Sequence, residues 1–283
     1  MTVATLAARR RKSTRLNTSG IGGVGQAALR ATSAMVLLIL LGPMIVLVIM
    51  SFSGADYVVF PPAGFGLKWY YRFFTSPDFM FAFLTSIQVA IAASAGATLL
   101  GIPAAYVLVR RRFPGKGMLE GIFLAPLMVP QIIVGAGLLQ LYAWWGTANT
   151  VVGLIAAHIV VVLPYVIRTV GGALSTVDPH VEEAAADLGA NQFQVLTLIV
   201  VPMIKGGVLA GALFSLIMSW INVEISIFLS ATGTYTLPVL LYNYMEYSLT
   251  PIVIVASSVS IFVTVLLVAI IDRTIGLHTA TRL

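Results

Sequence analysis

Six long apolar stretches follow one another along this chain of 283 residues and constrain its fold more than any other feature. They cover approximately residues 31–52, 79–109, 118–141, 151–169, 203–229 and 252–271. Each can form an α-helix that crosses the hydrocarbon core of a bilayer, which takes about 20 residues. Strands of a membrane barrel are shorter and alternate apolar with polar residues. The sequence therefore predicts an all-α integral membrane protein with six transmembrane helices in one domain, residues 31–271.

The positive charges predict how these helices are oriented. Of the 16 Lys and Arg residues, only Lys68 and Arg72 fall in the loops on one side of the predicted spans. Cytoplasmic loops are enriched in Lys and Arg, so both termini are predicted to be cytoplasmic. The basic N-terminal arm, residues 1–30, is predicted to contact anionic lipid rather than nucleic acid. Residues 272–283 are predicted to form a short cytoplasmic tail.

The loop of residues 175–202 contains the signals for an ordered elbow. Asp178 can accept hydrogen bonds from free amides of a first helical turn, and Pro179 suits the first helical position. Glu182 and Glu183 would lie near the positive end of the helix dipole. Gly189 is predicted to end this helix in the left-handed conformation.

A second short helix is predicted to complete the elbow. Asn191 can cap it, and we expect it to run through Leu198 and to be ended by Pro202. Anionic headgroups would repel the acidic first helix if the elbow rested on the membrane surface. The sequence therefore favours a docking element for a cytoplasmic protein over a surface-bound connector.

Polar residues inside the predicted spans are candidates for a solute path. An acidic side chain at the centre of a membrane helix costs about 2.5–3.5 kcal/mol on insertion scales, and it is therefore a sign of function. Such residues can also hydrogen-bond neighbouring helices or pair with a partner subunit, and the sequence leaves these alternatives open. The candidates are Glu224, Asn222, Ser219 and Gln88, with Gln131, Gln140 and His158 as further possibilities. In the last outer loop, Asn243 and Glu246 could instead meet a binding protein.

The sequence contains no nucleotide-binding loop of the G-x-x-x-x-G-K-[ST] type. The nearest match, Gly115-Lys116-Gly117, has Arg110 where the first glycine should stand. The absence of cysteine excludes thiolate metal sites and cysteine nucleophiles. No catalytic residue, metal site or cofactor is predicted for this chain, and any ATP that drives transport must be used by another polypeptide.

The elbow carries a motif that resembles the EAA loop of bacterial ABC-importer permeases. The motif begins with Glu183-Ala184-Ala185; after three intervening residues comes Gly189, after nine more Ile199, and after one more Val201-Pro202. Val201 stands where that family usually has leucine. The resemblance implies the type I importer (MetI-like) fold, a place in the bacterial inner membrane, and docking of the elbow on an ATPase. The resemblance implies that Glu183, Ala184, Ala185 and Gly189 are coupling residues. Their acidic neighbours Glu182 and Asp187 are predicted to take part as well.

Other segments are similar to polyamine permeases of the spermidine/putrescine class. The resemblance implies partnership with a second permease, with ATPase subunits and with an extracytoplasmic binding protein, and it implies a polyamine or related amine as solute. Such permeases commonly carry two aspartates where this chain has Ile221 and Asn222. The similar segments are Phe65-Gly66-Leu67-Lys68-Trp69-Tyr70, Tyr106 with residues 110–115, Ala125-Pro126-Leu127-Met128-Val129-Pro130, Leu163-Pro164-Tyr165 and Thr236-Leu237-Pro238-Val239.

Two other classes of membrane protein compete with this interpretation. An ion-coupled secondary carrier often contains inverted repeats around a central ion site, and no internal repeat is evident here. A membrane anchor without transport would leave Glu224 unexplained. Neither class accounts for the acidic elbow.

Overall fold

The computed structural model describes residues 23–147, 149–231, 233–247 and 250–275. The predicted basic arm lies outside these residues as far as residue 22, and so does the predicted tail from residue 276. Within the described ranges the chain is helical, and its β-structure is limited to one isolated bridge between Ser53 and Phe65. The chain divides into two units, Met1–Val48 and Ile49–Leu283.

Helix α1, Gly23–Ser51, carries the first predicted span and begins before the predicted residue 31. The helices of the second unit lie as follows. They are α2 (Lys68–Thr75), α3 (Pro77–Arg110), α4 (Lys116–Met128), α5 (Gln131–Trp145), α6 (Val151–Leu174), α7 (His180–Asp187), α8 (Gln192–Met203), α9 (Lys205–Trp220), α10 (Glu224–Leu229), α11 (Leu237–Tyr247) and α12 (Pro251–Ile275).

Among the described residues, four helices are long and apolar enough to cross a membrane unbroken: α1, α3, α6 and α12. Two further pairs pass the same test together but are bent, α4 with α5 by 108° and α8 with α9 by 82°. The described residues thus provide up to six spans if each bent pair counts as one, and six is the number that the sequence predicts.

The third predicted span, residues 118–141, is therefore not one straight helix. The break lies at Val129 and Pro130, and Val129 is extended, with φ −91° and ψ 135°. The ring of a proline clashes with helical backbone at the preceding residue, so Pro130 explains where α4 ends.

The fifth predicted span, residues 203–229, also needs correction. Helix α9 ends at Trp220, and α10 begins only at Glu224. The second elbow helix is predicted to run through Leu198 and to be ended by Pro202, but α8 passes Pro202 and stays helical to Met203. Its residues Val195–Val200 form a π-helical turn that directly precedes Val201–Met203.

Helices α3, α6 and α9 pack together at the centre of the second unit. Small residues allow this close approach, as is common between membrane helices. A Cβ atom added at Gly101 of α3 would lie 2.7 Å from Val166 Cγ1 on α6. At Gly207 of α9 it would clash with the Cβ atom of Ala173 and lie 3.2 Å from the carbonyl oxygen of Thr169.

We expect Gly207→Val to destabilise the membrane domain by about 1–3 kcal/mol, because the added atoms overpack the contact between α9 and α6. The measurement is the apparent melting temperature of the detergent-purified protein. Gly206→Val is the matched control, since the same substitution one residue earlier meets nothing within 4 Å. Equal melting temperatures for the two variants would contradict the packing described here.

Candidate coupling and solute sites

The first elbow helix, α7, starts and ends with the local contacts that the sequence predicts. The Asp178 carboxylate accepts a hydrogen bond from the backbone N–H of His180 at 3.0 Å, and α7 begins at His180, one residue after the predicted Pro179. Gly189 follows the helix with φ +93°, and its N–H donates to the Ala186 carbonyl at 2.9 Å. The left-handed conformation predicted for Gly189 is confirmed.

The second elbow helix, α8, is capped as predicted. The Gln194 N–H donates to Asn191 Oδ1 at 2.9 Å, and the Asn191 N–H donates to Gln194 Oε1 at 2.9 Å. These reciprocal hydrogen bonds form a capping box, which satisfies two amides that the helix itself leaves free. The cap holds α8 in a fixed direction after the turn at Gly189.

The two neighbouring glutamates of α7 face opposite ways. Glu182 turns inward, where its carboxylate accepts hydrogen bonds from Arg110 Nε at 2.6 Å and from the Tyr106 hydroxyl at 2.8 Å. The Arg110 guanidinium also donates to the Val177 carbonyl at 2.8 Å. The side chains of Arg110 and Glu182 are only 12% and 11% exposed. This half-buried ion pair fastens the elbow to the last turn of α3.

Glu183 turns outward with its side chain 70% exposed. Ala184, Asp187 and Gly189 are exposed beside it, whereas Ala185 packs against the apolar core. The predicted coupling residues therefore fall into two groups. Glu183, Ala184, Asp187 and Gly189 are open to a partner, and Glu182 and Ala185 hold the elbow in place.

Two apolar side chains of the elbow were missed by the sequence analysis. Leu188 is 91% exposed and Phe193 is 74% exposed, next to the outward residues of α7. A large apolar side chain this exposed marks a surface suited to a protein partner. The available signal was the position of Leu188, which is four residues after Ala184 and so continues the same face of the helix.

We expect Glu182→Ala to destabilise the protein by about 1–3 kcal/mol, because the half-buried Arg110 guanidinium and the Tyr106 hydroxyl both lose a charged hydrogen-bond partner. Glu183→Ala is the matched control, and a substitution at this exposed position should change stability by no more than about 0.5 kcal/mol. Apparent melting temperatures of the purified variants make the comparison. A larger effect at Glu183 than at Glu182 would show that the two side chains face the other way.

A second local interaction on the elbow depends on pH. His180 Nδ1 lies 2.9 Å from Glu183 Oε2, and this hydrogen bond, with the charges of Asp178 and Glu183, raises the pKa of His180 above 6.5. Protonated His180 favours the folded elbow, so the interaction is fully present below pH 6.5 and is lost as the pH rises through the raised pKa.

NMR titration of the imidazole resonances should show the raised pKa of His180, and Glu183→Gln should return it towards 6.5. The chain has three histidines, so the His180→Gln spectrum assigns the signal. An unchanged titration in Glu183→Gln would contradict the contact.

The break between α9 and α10 contains a buried polar network. Ser219 and Asn222 are both buried there. Asn222 Oδ1 accepts the backbone N–H of Ile225 at 2.9 Å, and Asn222 Nδ2 donates to Gln131 Oε1 at 2.6 Å. Gln131 is the first residue of α5, so this hydrogen bond joins the break between α4 and α5 to the break between α9 and α10.

His158 of α6 lies between two serines across the same break. Its Nδ1 atom is 2.7 Å from Ser219 Oγ, and its Nε2 atom is 3.0 Å from Ser226 Oγ. The Ser226 hydroxyl donates its only proton to the Asn222 carbonyl at 3.0 Å. It must therefore accept from Nε2–H, which leaves Nδ1 to accept from Ser219. His158 is thus held in one neutral tautomer that ties α6 to both sides of the break.

The structure therefore separates the predicted solute-path residues. Ser219 and Asn222 meet Gln131 and His158 in the buried network, and these contacts are those of the helix–helix alternative. Glu224 is exposed at the start of α10, and Gln88 is exposed on α3. Of the predicted solute-path residues, Glu224 and Gln88 are therefore the two whose side chains remain open to a solute or to a second subunit.

Comparison with known proteins places this geometry in a family. Residues 97–277 match the family model described as the inner membrane component of binding-protein-dependent transport systems. The spermidine/putrescine transport system permease protein PotC of Haemophilus influenzae is 32% identical over 81% of this chain and 88% of its own length. The putrescine transport system permease protein PotI of Escherichia coli is 32% identical over 75% of this chain and 78% of its own length.

Solved structures show the same fold. A chain of a bacterial ABC transporter that imports the acidic polysaccharide alginate superposes with a TM-score of 0.68 at 19% identity, covering 92% of this chain and 96% of that one. A chain of the MetNI methionine ABC transporter superposes with a TM-score of 0.59 at 19% identity, covering 71% of this chain and 98% of that one. At this level of identity the likeness is one of fold.

Proposed function

Because the chain belongs to the family of binding-protein-dependent transport system inner membrane components, as an ABC importer permease subunit, we propose that it moves a polyamine or related amine delivered by an extracytoplasmic binding protein. The observation that carries the coupling part of this proposal is the outward face of the elbow. The amine is supported by the relatives PotC and PotI, which are named for spermidine and putrescine.

The elbow is the proposed docking element for the ATPase, which binds and hydrolyses the ATP. Its exposed surface combines the acidic residues Glu183 and Asp187 with the apolar side chains of Leu188 and Phe193. Apolar anchors give affinity, and the charges around them favour a partner with basic residues. In this proposal the elbow and both termini lie on the cytoplasmic side of the bacterial inner membrane.

Movement of the elbow would reach the membrane domain through the ion pair of Glu182 with Arg110. Arg110 is the last residue of α3, a helix of 34 residues. Such a helix is roughly 51 Å long at 1.5 Å per residue, and it therefore spans the whole bilayer. A displacement of α7 by the ATPase would thus be transmitted directly to α3, a helix that spans the membrane.

The charge distribution supports a cationic solute. Residues 206–271, which include the last two spans and the loop between them, contain Glu224 and Glu246 but no Lys or Arg. An amine cation moving along this part of the chain meets no like charge. A second permease subunit would supply the other wall of the path, as the resemblance to heterodimeric importers implies.

An ion-coupled secondary carrier is not favoured. The family is that of binding-protein-dependent systems, and the structural neighbours are ABC transporters. The exposed elbow has a use in an ATPase-driven importer and none in a carrier that works alone.

The test is binding-protein-stimulated ATPase activity of the importer, purified with the products of the neighbouring genes and reconstituted in proteoliposomes. We expect Glu183→Arg combined with Leu188→Asp to assemble in the membrane and to lose about tenfold or more of the stimulated rate, since exposed anchors each contribute about 1–2 kcal/mol to such a contact.

The matched control is Glu120→Arg, the same change of charge at another exposed acidic residue, on α4. It should leave the stimulated rate within about twofold, which is about 0.4 kcal/mol. The coupling role fails if the elbow variant hydrolyses ATP like the wild type, or if no ATPase purifies with the chain. The solute is tested separately, by competition of polyamines and of anions for the binding protein.

A further inference from the structure

A cavity of about 470 Å³ opens between the start of α3, the end of α10 and the start of α11. The polar residues of its lining are Asp78, Tyr235, Ser230 and Asn243. Its remaining walls are apolar and include Ile227 and Val239. None of these residues belongs to the buried network at the break between α9 and α10.

The cavity lies at the end of the domain opposite the elbow. Asp78 is in the first turn of α3, and Arg110, which binds the elbow, is in the last. Along an α-helix these two residues are roughly 48 Å apart. In the proposed importer the cavity therefore lies on the extracytoplasmic side, where the binding protein releases its solute.

The carboxylate of Asp78 is exposed to the cavity, and in the described part of the chain no Lys or Arg forms an ion pair with it. Its hydrogen-bond donor is the Tyr235 hydroxyl at 3.4 Å. Burial, followed by the charge of Asp78, raises the pKa of Tyr235, so the phenol stays protonated. The negative charge in the cavity is thus free to attract a cation.

Two further carboxylates extend this negative potential. Glu246 lies seven residues after Val239 on α11, so it projects from the face that lines the cavity. Glu224 lies one turn before Ile227 on α10 and marks the direction towards the membrane centre. Glu246 therefore lies at the rim of the cavity, Asp78 lies within it, and Glu224 lies beyond it towards the membrane centre.

The hydroxyl of Ser230 is a second and independent sign of a ligand. Its Oγ atom is buried and has no hydrogen-bond partner in the part of the chain that the structure describes. Buried polar atoms without a partner are rare, and each calls for an explanation. Ser230 lines the cavity, so a bound donor would complete its hydrogen bonding.

We propose that this cavity is an entry site for the amine, in which a primary ammonium group binds Asp78, Ser230 and Asn243 while its methylene chain lies on the apolar walls. The inference rests on the proposed import of amines. An ammonium group has three N–H donors, and the carboxylate, the hydroxyl and the amide oxygen can each accept one. An anionic solute would instead meet the unpaired charge of Asp78.

Cysteine labelling tests occupancy of the site in the reconstituted importer, and the absence of cysteine from this chain makes single substitutions unambiguous. Asn243→Cys, at an exposed position of the cavity lining, should react about tenfold faster with a cationic methanethiosulfonate than with an anionic one, since tenfold corresponds to a modest local potential. Putrescine should slow the reaction. Thr75→Cys, exposed on α2 at the same end, should show neither effect. Mass spectrometry of this chain gives the labelled fraction.

Transport assays test the role of the negative charge of Asp78. Asp78→Asn should lower putrescine uptake about tenfold at saturating binding protein, as expected for loss of one charge-assisted hydrogen bond. Asp56→Asn is the matched control, because Asp56 is an exposed acid at the same end that already pairs with Lys68 at 2.7 Å.

The possible failures can be told apart. Three results together would show that the entry site is wrong while the proposed solute stands. The wild-type importer moves putrescine, putrescine does not protect the Asn243→Cys variant from labelling, and Asp78→Asn behaves like Asp56→Asn. If the wild-type importer moves no amine, the proposed solute and this site are both wrong.

Discussion

Backbone amides and carbonyls have no water to bind inside a bilayer, and this constraint governs where the chain can leave its helices. Among the described residues, helices are interrupted at Pro130 and at residues 221–223, and these two interruptions meet. The Asn222 side chain binds both a backbone amide in the first turn of α10, that of Ile225, and Gln131 at the start of α5. One amide side chain therefore supplies a hydrogen bond to each of the two interruptions.

The same reasoning explains the two kinds of polar residue in the spans. Ser219, Ser226 and His158 bind one another in a closed network that fixes a single tautomer, so they tie helices together and have little left to offer a solute. Glu224 costs more to keep in a membrane and has an exposed side chain in the same region. An unpaired acid in this position makes sense only if a cation, a water-filled path or a second subunit meets it.

The sequence predicts what is decided locally. Gly189 and Asn191 act through their own backbone and their nearest neighbours, and the structure confirms both. The apolar stretches likewise predict the number of spans. The direction in which Glu182 points could not be predicted, because it is decided by Arg110, which is 72 residues earlier in the chain. The break after Trp220 was also missed, since no proline or glycine marks it and its support comes from other helices.

Helix α3 connects the features that matter for transport. Its last turn holds the elbow through Arg110, its middle packs closely on α6 at Gly101, and its first turn carries Asp78 in the proposed entry cavity. A packed helix transmits displacement along its axis because close-packed interiors resist compression. Pro103 lies within α3 and removes one backbone hydrogen bond, so it is the position where the lever can bend. A push on the elbow would then shift Asp78 relative to α10 and α11, and under the proposed function this movement would couple the entry cavity to the ATPase.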